Sequence, residues 1–371
     1  MGGERRCTSC CVQEGLRKLK VLVLHAYSAE NAGDGLLVRE TLSLIRDAFG
    51  ANAQITVAAS HPDTFTGLDV EIVDSSPSLF GYNRSYVKTL RSLSEFDVIV
   101  GVGGGYLRAG HATEAIKMAL VHGPQLLAAS RTRTPSIYLP QSIGPASPLI
   151  GRLLNSRLTN VEIVHVRDDR SSVEFAQAGV VRTSDLAILS SSPRQTASFD
   201  VDSIPVVSIR SVRGKISPLV IDFSRQVGVF DGYVQSATAG NNDTESMRSI
   251  GPRRILSRQE LMSPGFGEKS RVVVAVRLHA ALMALQAGHF VIHLAYERKG
   301  FGAFEDLGLD AFVHNVNKFE PFRVVRQMRA LLDDERQRAS YVESLNSVLE
   351  KSNSHRASLV EDLRRLAGIR S

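Results

Sequence analysis

The sequence predicts an α/β fold with two similar halves, each built on a mostly parallel sheet, and a helical extension at the C-terminus. Short apolar runs alternate with amphipathic helical patterns from Lys20 onward, which is typical of parallel strands joined by helices. A chain of 371 residues is long for a single hydrophobic core, which indicates two domains. From Phe319 to the end, the pattern is helical and charged.

The first half has the clearer pattern. Its predicted strands are short apolar runs at Val21–Ala26, Gln54–Ala59, Val70–Asp74, Asp97–Val102, Ser136–Leu139 and Glu162–Val166. Amphipathic spacing predicts helices between them at Leu36–Ala48, Ala112–Ala129 and Pro148–Leu158. The second of these helices is the longest predicted in this half.

The second half begins after a polar segment, Leu189–Phe199, that lacks apolar periodicity and predicts a linker. Its strands are predicted at Pro205–Arg210, at a buried run that ends at Arg277, and at Phe290–Ala295. Between residues 211 and 269 the pattern is weaker: 227–230 and 232–235 are strand candidates, and 238–245 is a predicted loop.

These elements divide the chain into four parts. We expect a mobile tail over residues 1–19, an N-terminal Rossmann-like domain over 20–190, a second over 200–318, and C-terminal helices over 319–371.

The composition is that of an ordinary globular enzyme, with 43% hydrophobic and 22% charged residues. No apolar run approaches the length of a membrane span, and the N-terminus lacks the apolar segment of a signal peptide. Cys7, Cys10 and Cys11 lie together in the first segment without a convincing fourth zinc ligand. We therefore expect no metal site and a cytoplasmic protein.

The net charge is +6 and the sequence pI is about 9.3. No basic stripe with interleaved aromatic residues is present, so nucleic acid is not an expected partner. The positive excess favours attraction to an anionic small substrate or peripheral association with the inner face of a membrane.

Cationic side chains occur where several predicted strands end. Arg277 and His279 lie between a strand and the next helix, Arg167 and Arg210 end other strands, and Lys299 follows Phe290–Ala295. Ligands of open α/β sheets bind outside the carboxyl ends of the strands, where helix N-termini favour anions. The pattern predicts a site for a phosphorylated or carboxylated ligand.

Each of these residues also has a structural interpretation. A lone histidine beside a helix start, as His279 is, is more often a packed, hydrogen-bonded residue than a catalyst, although its unperturbed pKa suits proton transfer at neutral pH. Arg167 alone is typical of a surface arginine beside a helix that is capped by Asp168 or Ser171. The recurrence of arginine at strand ends favours the ligand site.

Three further loops carry candidate ligand groups. Asn31, Gly33 and Asp34 precede a helix. The spacing favours Asp34 as its N-cap, a role that is compatible with a functional one. The glycines at 101–105 predict a tight turn or a phosphate loop, without completing a dinucleotide fingerprint. Gln141 and Ser142 lie in a proline-rich segment that predicts a rigid loop.

Short motifs follow one another in order along the chain: Asn31-x-Gly33-Asp34, Gly103-Gly104-Gly105, Pro140-Gln141-Ser142-Ile143-Gly144-Pro145, Arg167-Asp168-x-x-Ser171, Asp185, Arg277-Leu278-His279 and Tyr296-x-x-Lys299. In order and spacing they resemble the polysaccharide pyruvyl transferases, over about residues 20–310. Arg277-Leu278-His279 is the strongest motif. Gly288-His289-Phe290 departs from the family, which commonly has a proline after this glycine.

The resemblance implies a glycosyltransferase B type of fold, in which two Rossmann-like domains face a cleft. It implies transfer of the pyruvyl group of phosphoenolpyruvate to a sugar residue of a polysaccharide, oligosaccharide or glycolipid, as a ketal, with release of phosphate. The acceptor is a sugar or glycan, either free or lipid-linked. No cofactor is expected beyond the donor substrate.

The resemblance and the residue pattern together give a set of candidate site residues. His279 is the expected general acid or base, and Asp34 is the expected base or orienting group for an acceptor hydroxyl. The candidate binding residues are Arg277, Leu278, Arg167, Arg210, Lys299, Asn31, Gly33, Gly104, Gly105, Gln141 and Ser142.

Other functions remain open at this point. A nucleotide-sugar-dependent glycosyltransferase of the same fold is the main alternative, and it predicts binding of a nucleotide diphosphate. A non-catalytic carbohydrate-binding or scaffold protein is a second alternative. A nicotinamide enzyme is disfavoured because its fingerprint is incomplete.

Overall fold

The structure is a computed structural model that describes residues 18–189, 200–211, 214–236, 242–262 and 269–369. The predicted tail, apart from its last two residues, lies outside the described residues. The same is true of the predicted linker beyond Leu189 and of part of the loop predicted at 238–245.

The N-terminal domain contains a parallel sheet with strands in the order β10-β9-β8-β6-β1-β2-β3, and β7 pairs with β8 beside it. A small antiparallel hairpin, β4–β5, is separate. The strands are β1 (Lys20–Ala26), β2 (Gln54–Ala59), β3 (Glu71–Asp74), β4 (Pro77–Ser78), β5 (Gly81–Tyr82), β6 (Val98–Gly101), β7 (Gly104–Ala109), β8 (Ser136–Ala146), β9 (Ile163–Val166) and β10 (Val181–Arg182).

Helices cover both faces of this sheet, which is why its strands are apolar on both sides. In chain order they are α1 (Ala32–Phe49), α2 (Arg84–Arg91), α3 (Ala112–Val121), α4 (Gly123–Ala129), α5 (Pro148–Leu158), α6 (Asp169–Glu174) and α7 (Leu186–Leu189).

The second domain contains a parallel sheet in the order β13-β12-β11-β14-β15-β16. Its strands are β11 (Val206–Ser208), β12 (Asp231–Tyr233), β13 (Ile255–Leu256), β14 (Val272–Ala275), β15 (Phe290–Ala295) and β16 (Val313–Asn315). The helices are α8 (Pro218–Val227), α9 (Thr244–Ser249), α10 (Arg258–Met262), α11 (Leu278–Gln286), α12 (Arg298–Asp306), α13 (Pro321–Asp333), α14 (Glu335–Ser347) and α15 (Leu349–Leu366).

In both sheets, the order in which successive strands are added reverses beside the first strand of the domain. In the N-terminal sheet, β1 pairs with β2 on one side and with β6 on the other. In the second sheet, β11 pairs with β12 and β14 in the same way. The two crevices that result are the positions where doubly wound sheets bind ligands.

The C-terminal helix returns to the N-terminal domain. α15 packs on α1, while α13 packs on α8 of the second domain. Arg356 of α15 forms an ion pair with Asp47 at 2.5 Å, and Asp362 lies 3.2 Å from Nε2 of His165. Apolar residues of α1, α7, α11 and α15 belong to one buried cluster, which therefore runs through both domains and fixes the cleft between them.

Two sequence predictions in the first half were wrong. The helix predicted at 112–129 is two helices, α3 and α4, because Pro124 cannot donate a backbone hydrogen bond within a continuous helix. α1, not this segment, is the longest helix of the domain.

The segment predicted as a rigid loop after Leu139 continues as β8 to Ala146. It does so because β7 forms directly after the glycines and pairs Gly104 with Gln141 and Leu107 with Ile143. The register shifts between these pairs, which accommodates residues that cannot donate to a regular ladder.

Among the described residues, none of the helices combines the length and the apolar character that crossing a bilayer requires.

Candidate functional site

The two crevices open onto one cavity of about 540 Å³ between the domains. Ala26 ends β1 and Val102 comes directly after β6, and both line one side of the cavity. Arg210 and Arg277 line the other side. The cavity walls in the described structure carry three carboxylates, Asp34, Glu114 and Glu297, and six cationic side chains: Arg108, Lys117, Arg167, Arg210, Arg277 and Lys299. The surface of the cavity is therefore positive.

Arg277 is the N-cap residue of α11, so Leu278 and His279 form the first turn of this helix. The guanidinium is held by both oxygens of Asp243, at 2.5 Å from Nε and 2.9 Å from Nη2. Burial raises the pKa of Asp243, and the guanidinium opposes that rise. Asp243 thus anchors Arg277 at the cavity wall.

Arg167 is held in a similar way on the other side of the cleft. Its Nη1 lies 2.5 Å from Asp185, and its Nε donates to Ser142 Oγ at 3.0 Å. Burial would raise the pKa of Asp185, but Arg167 and the other donors outweigh burial and lower it. Arg167 is buried, so the interpretation of it as a surface arginine was wrong. Asp168 does cap α6, by accepting from the Ser171 N–H at 2.9 Å.

His279 packs directly on the first turn of α1. A Cβ placed on Gly33 would lie 2.3 Å from Nδ1 of His279, so glycine is required for this approach. Burial lowers the pKa of His279 to about 3, with Arg167, Lys299 and Arg277 lowering it further and Asp185 opposing. Its Nε2 is buried without a hydrogen-bond partner among the described residues. In the free protein, His279 is a neutral imidazole at neutral pH.

Asn31 and Asp34 form the N-terminal turn of α1. Asn31 is the N-cap and accepts from the Gly33 N–H at 3.3 Å, while its Nδ2 donates to Asp34 at 2.9 Å. Asp34 is therefore not the cap residue, as one interpretation of the sequence held. Burial raises the pKa of Asp34, against the effects of its bond to Asn31 and of Lys299.

Lys299 and Arg210 complete the wall of the second domain. Lys299 lies in the first turn of α12, 2.9 Å from Glu297. Arg210 donates to Tyr296 Oη at 2.5 Å and stacks over the Tyr296 ring, 4.9 Å from its centroid. The tyrosine thereby fixes the direction of the Arg210 side chain.

Ten of the candidate residues line the cavity, whereas Gly33, Gln141 and Ser142 do not. Gly104 and Gly105 line the cavity, and the Gly105 backbone packs beside the Arg167 guanidinium. Gln141 and Ser142 lie behind this wall in β8, where Ser142 supports Arg167. Both polar atoms of the Gln141 side chain are buried without a partner among the described residues.

A buried aromatic cluster beside the cavity was missed by sequence analysis. His25 has φ 71°, in the left-handed region that residues other than glycine rarely adopt. It stacks on Tyr106, and its ring nitrogens lie 2.9 Å from Tyr138 Oη and 3.3 Å from Nδ1 of His122. Burial, with His122, lowers the pKa of His25 well below normal. Strained backbone of this kind is concentrated at functional sites.

Helix α3 and strand β7 contribute further charged groups that were not predicted. Lys117 donates to Tyr27 Oη at 3.0 Å, and Arg108 lies 3.6 Å from Glu114 and 3.5 Å from Glu297. These residues lie in ordinary helix and strand patterns, so no local sequence signal marks them. Asp243 was also missed, because the sequence around it has no clear periodicity.

No group of three or more His, Cys, Asp or Glu side chains suited to a metal ion occurs in the part of the chain that the structure describes. The prediction of no metal site and no cofactor stays a prediction.

Comparison with solved structures identifies the architecture. The chain aligns with HepE of Anabaena, solved in complex with UDP and glucose, at 15% identity and a TM-score of 0.55, covering 93% of this chain and 99% of that one. It aligns with MnaA of S. aureus, solved with UDP, at 12% identity and a TM-score of 0.57, covering 95% and 98%.

A third solved structure, UDP-GlcNAc 2-epimerase of Neisseria meningitidis bound to UDP-GlcNAc, aligns at 12% identity and a TM-score of 0.52, covering 94% of this chain and all of that one. A comparison with curated protein sequences gives no significant match. The fold class predicted from the sequence is confirmed: two Rossmann-like domains of the glycosyltransferase B type face a cleft, with C-terminal helices.

The fold and the cleft thus define a protein of the glycosyltransferase B architecture. The sequence profile of the polysaccharide pyruvyl transferases matches residues 31–249, which is more than half of the chain. The protein belongs to the polysaccharide pyruvyl transferase family, as the motifs predicted. The matched segment includes Asn31, Asp34, Arg167, Asp185 and Asp243, whereas Arg277, His279 and Lys299 lie beyond it.

Proposed function

We propose that the protein transfers the pyruvyl group of phosphoenolpyruvate to two hydroxyls of a sugar residue, as a ketal, and releases phosphate. The observation that carries the proposal is that one cavity holds His279 together with Arg167, Arg277 and Lys299. The acceptor is a sugar of a polysaccharide, oligosaccharide or glycolipid, and no metal or further cofactor takes part.

The cavity suits a small molecule with two anionic groups. Phosphoenolpyruvate carries a carboxylate and a phosphate, and charge-assisted hydrogen bonds to such groups are the stronger ones in proteins. Arg277 at the start of α11 and Lys299 at the start of α12 supply cations where the helix dipoles also favour an anion. We assign the donor to this side of the cavity.

The bound donor also changes the protonation of His279. Burial is the main cause of the low pKa of His279 in the free protein. The cations Arg167, Lys299 and Arg277 lower this pKa further. A bound trianion offsets these cations, although not burial, which is the larger cause. We therefore propose that donor binding raises the pKa of His279 and that the imidazole takes up a proton with the donor. The resulting imidazolium is the proposed acid that protonates the methylene carbon of the donor.

Asp34 is the proposed base for the acceptor hydroxyl. Burial raises the pKa of its carboxylate, which brings its basicity closer to the range that is effective at neutral pH. Asn31 Nδ2 orients this carboxylate from 2.9 Å.

The proton balance is complete with these groups. Two new bonds join the central carbon of the donor to two sugar oxygens. Its bond to the phosphate oxygen breaks, and its double bond to the methylene carbon becomes a single bond as that carbon gains a proton. The sugar hydroxyls lose two protons in total. One converts the methylene carbon to a methyl group, and the other leaves with the phosphate.

The test is phosphate release from phosphoenolpyruvate by the purified full-length chain, against a panel of sugar acceptors, with product masses checked for an added pyruvyl group. We expect release that depends on the acceptor and a product that carries the ketal. Phosphoenolpyruvate should also raise the melting temperature, because it binds the folded state. Sugar transfer from a nucleotide sugar, with no effect of phosphoenolpyruvate, would assign the cavity to a glycosyltransferase instead.

A further inference from the structure

Apolar side chains protrude from one face of the N-terminal domain, outside the cavity. Leu79 and Phe80 form the tip of the β4–β5 hairpin and are each 100% exposed. Ile116 and Leu120 on α3, and Leu127 on α4, are also exposed large apolar residues. Large apolar side chains that cluster on a surface mark interaction sites, whereas single ones need no explanation.

The hairpin and the two helices form one continuous surface. Tyr82 of β5 donates from its Oη to the carbonyl of Leu120 at 2.7 Å. The Tyr82 ring lies 5.6 Å from the ring of Tyr86 in α2, and both line a shallow groove with Pro124 and Leu127 of α4. The hairpin tip therefore extends the apolar surface of α3 and α4.

Cations lie beside these apolar residues: Arg91 and Arg131 line the same groove as Leu127. Exposed basic side chains lie on α2 and after α4, and among the described residues none of them forms an ion pair: Arg84, Lys88, Arg91, Arg131 and Arg133. Three carboxylates lie in the same stretch: Glu95 is exposed, Glu114 is paired with Arg108, and Asp97 accepts from the Lys20 N–H at 2.8 Å. The five cations outnumber these carboxylates, so this face carries a net positive charge.

Helix α3 places this surface beside the cavity. Lys117 and Met118 line the cavity, whereas Ile116 and Leu120 of the same helix are exposed on the outer surface. A partner surface that contacts the hairpin and the outer side of α3 would thus be separated from the cavity only by this helix.

We propose that this face docks the protein onto the surface of an anionic lipid bilayer. We define the docking face as the apolar residues Leu79, Phe80, Ile116, Leu120 and Leu127 with the cations Arg84, Lys88, Arg91, Arg131 and Arg133. The apolar tip enters the interfacial region, and the cations contact lipid phosphates. Apolar insertion alone or electrostatic attraction alone gives marginal membrane binding, whereas the two together give stable binding. This inference does not depend on the donor that the cavity binds.

The experiment is co-sedimentation of the full-length protein with vesicles of phosphatidylcholine, with and without phosphatidylglycerol. We expect binding to the anionic vesicles that weakens as salt is added, since exposed charges are screened. Replacing Arg84, Lys88 and Arg91 together by Gln should weaken binding by about fivefold for each cation. The double variant Leu79→Ser with Phe80→Ser should bind anionic vesicles no more strongly than it binds neutral ones.

Phe322→Ser is the matched control, because Phe322 is an exposed aromatic residue on α13 of the other domain. It should bind as the unchanged protein does, and far-ultraviolet circular dichroism should show all variants folded. The proposal is overturned by absence of binding to anionic vesicles, or by binding that survives both sets of changes. It is equally overturned if sedimentation velocity shows a dimer that the Leu79 and Phe80 changes dissociate, since the face is then an interface between two copies.

Discussion

The two arginines that flank His279 are held by aspartates in the same manner, but at different depths. Arg167 and Asp185 have side chains that are each 3% exposed, whereas Arg277 is 12% exposed over its buried partner Asp243. Both arginines follow a strand end and both line the cavity. The difference assigns mainly a supporting role to the first pair and a ligand-contacting role to the second arginine.

The depth of an ion pair decides what its loss costs. A buried pair that loses one partner leaves an uncompensated charge in the protein interior, which is a stability effect. A cation at a cavity wall keeps access to solvent, so its loss is felt mainly when an anion binds. The pair Arg167–Asp185 should therefore govern folding, and Arg277 should govern donor affinity.

The largest effect is expected for Arg167→Met. It leaves Asp185 buried without its cation and should lower the free energy of unfolding by about 3–5 kcal/mol. Urea denaturation measures this change. The double variant Arg167→Met with Asp185→Asn is the control, because the asparagine oxygen still accepts the Ala187 N–H that Asp185 accepts at 2.9 Å. It should recover part of the loss; no recovery would show that the pair is not the cause.

His279→Asn should lower turnover by about 10²–10⁴-fold, the usual contribution of acid–base assistance. Unlike the Arg167 change, it should leave the urea midpoint close to that of the unchanged protein, since no buried ion pair is broken. Phosphate release at saturating donor measures the effect. Turnover equal to that of the unchanged protein would remove His279 from the chemistry.

Arg277→Ala sharpens the comparison from the other side. Its expected result is a rise of about tenfold or more in the KM for phosphoenolpyruvate, because a charge-assisted hydrogen bond contributes about 1.5–3 kcal/mol. Arg210 remains as a second cation that lowers the pKa of Asp243, so the loss of stability should be smaller than for Arg167→Met. Calorimetric titration with phosphoenolpyruvate gives the affinity directly, and an unchanged affinity contradicts the assignment.

The arginines at the strand ends show which parts of the site can be predicted from the sequence. Apolar runs and their spacing predict the sheets, because burial on both faces demands such runs. The carboxylate partners are different: Asp243 lies 34 residues before Arg277, and only the fold brings them together. His25 and Lys117 could not be predicted as site residues either. His25 lies within the apolar run of β1, where its position does not differ from that of a core residue, and Lys117 lies on an ordinary helix.

Gly33→Ala tests the contact between the two domains at His279. The added Cβ would meet Nδ1 of His279 at 2.3 Å, so the imidazole must move. We expect a clear fall in turnover, smaller than for His279→Asn, in a folded protein. Gly151→Ala is the matched control, since it is also a helical glycine and a Cβ there meets nothing within 4 Å. If both variants keep full activity, the position of the imidazole is not critical.

The smallest effect concerns the pH dependence of stability. The pKa of His279 is about 3 in the folded protein against 6.5 for a free histidine, so acidification adds a proton to the unfolded state first. This destabilises the fold as pH falls below about 6.5, by about 1.4 kcal/mol per pH unit for each such histidine. His293, with a pKa lowered by burial to about 4, adds to the same trend.

His279→Asn removes one histidine from this linkage. The slope of unfolding free energy against pH, measured by urea denaturation, should therefore become shallower by about 1.4 kcal/mol per pH unit near pH 5. A Gly151→Ala variant should keep the full slope, since it removes no titrating group and a Cβ there meets nothing within 4 Å. An unchanged slope in His279→Asn would mean that folding does not lower the pKa of His279, and the rise of this pKa on donor binding would then have no basis.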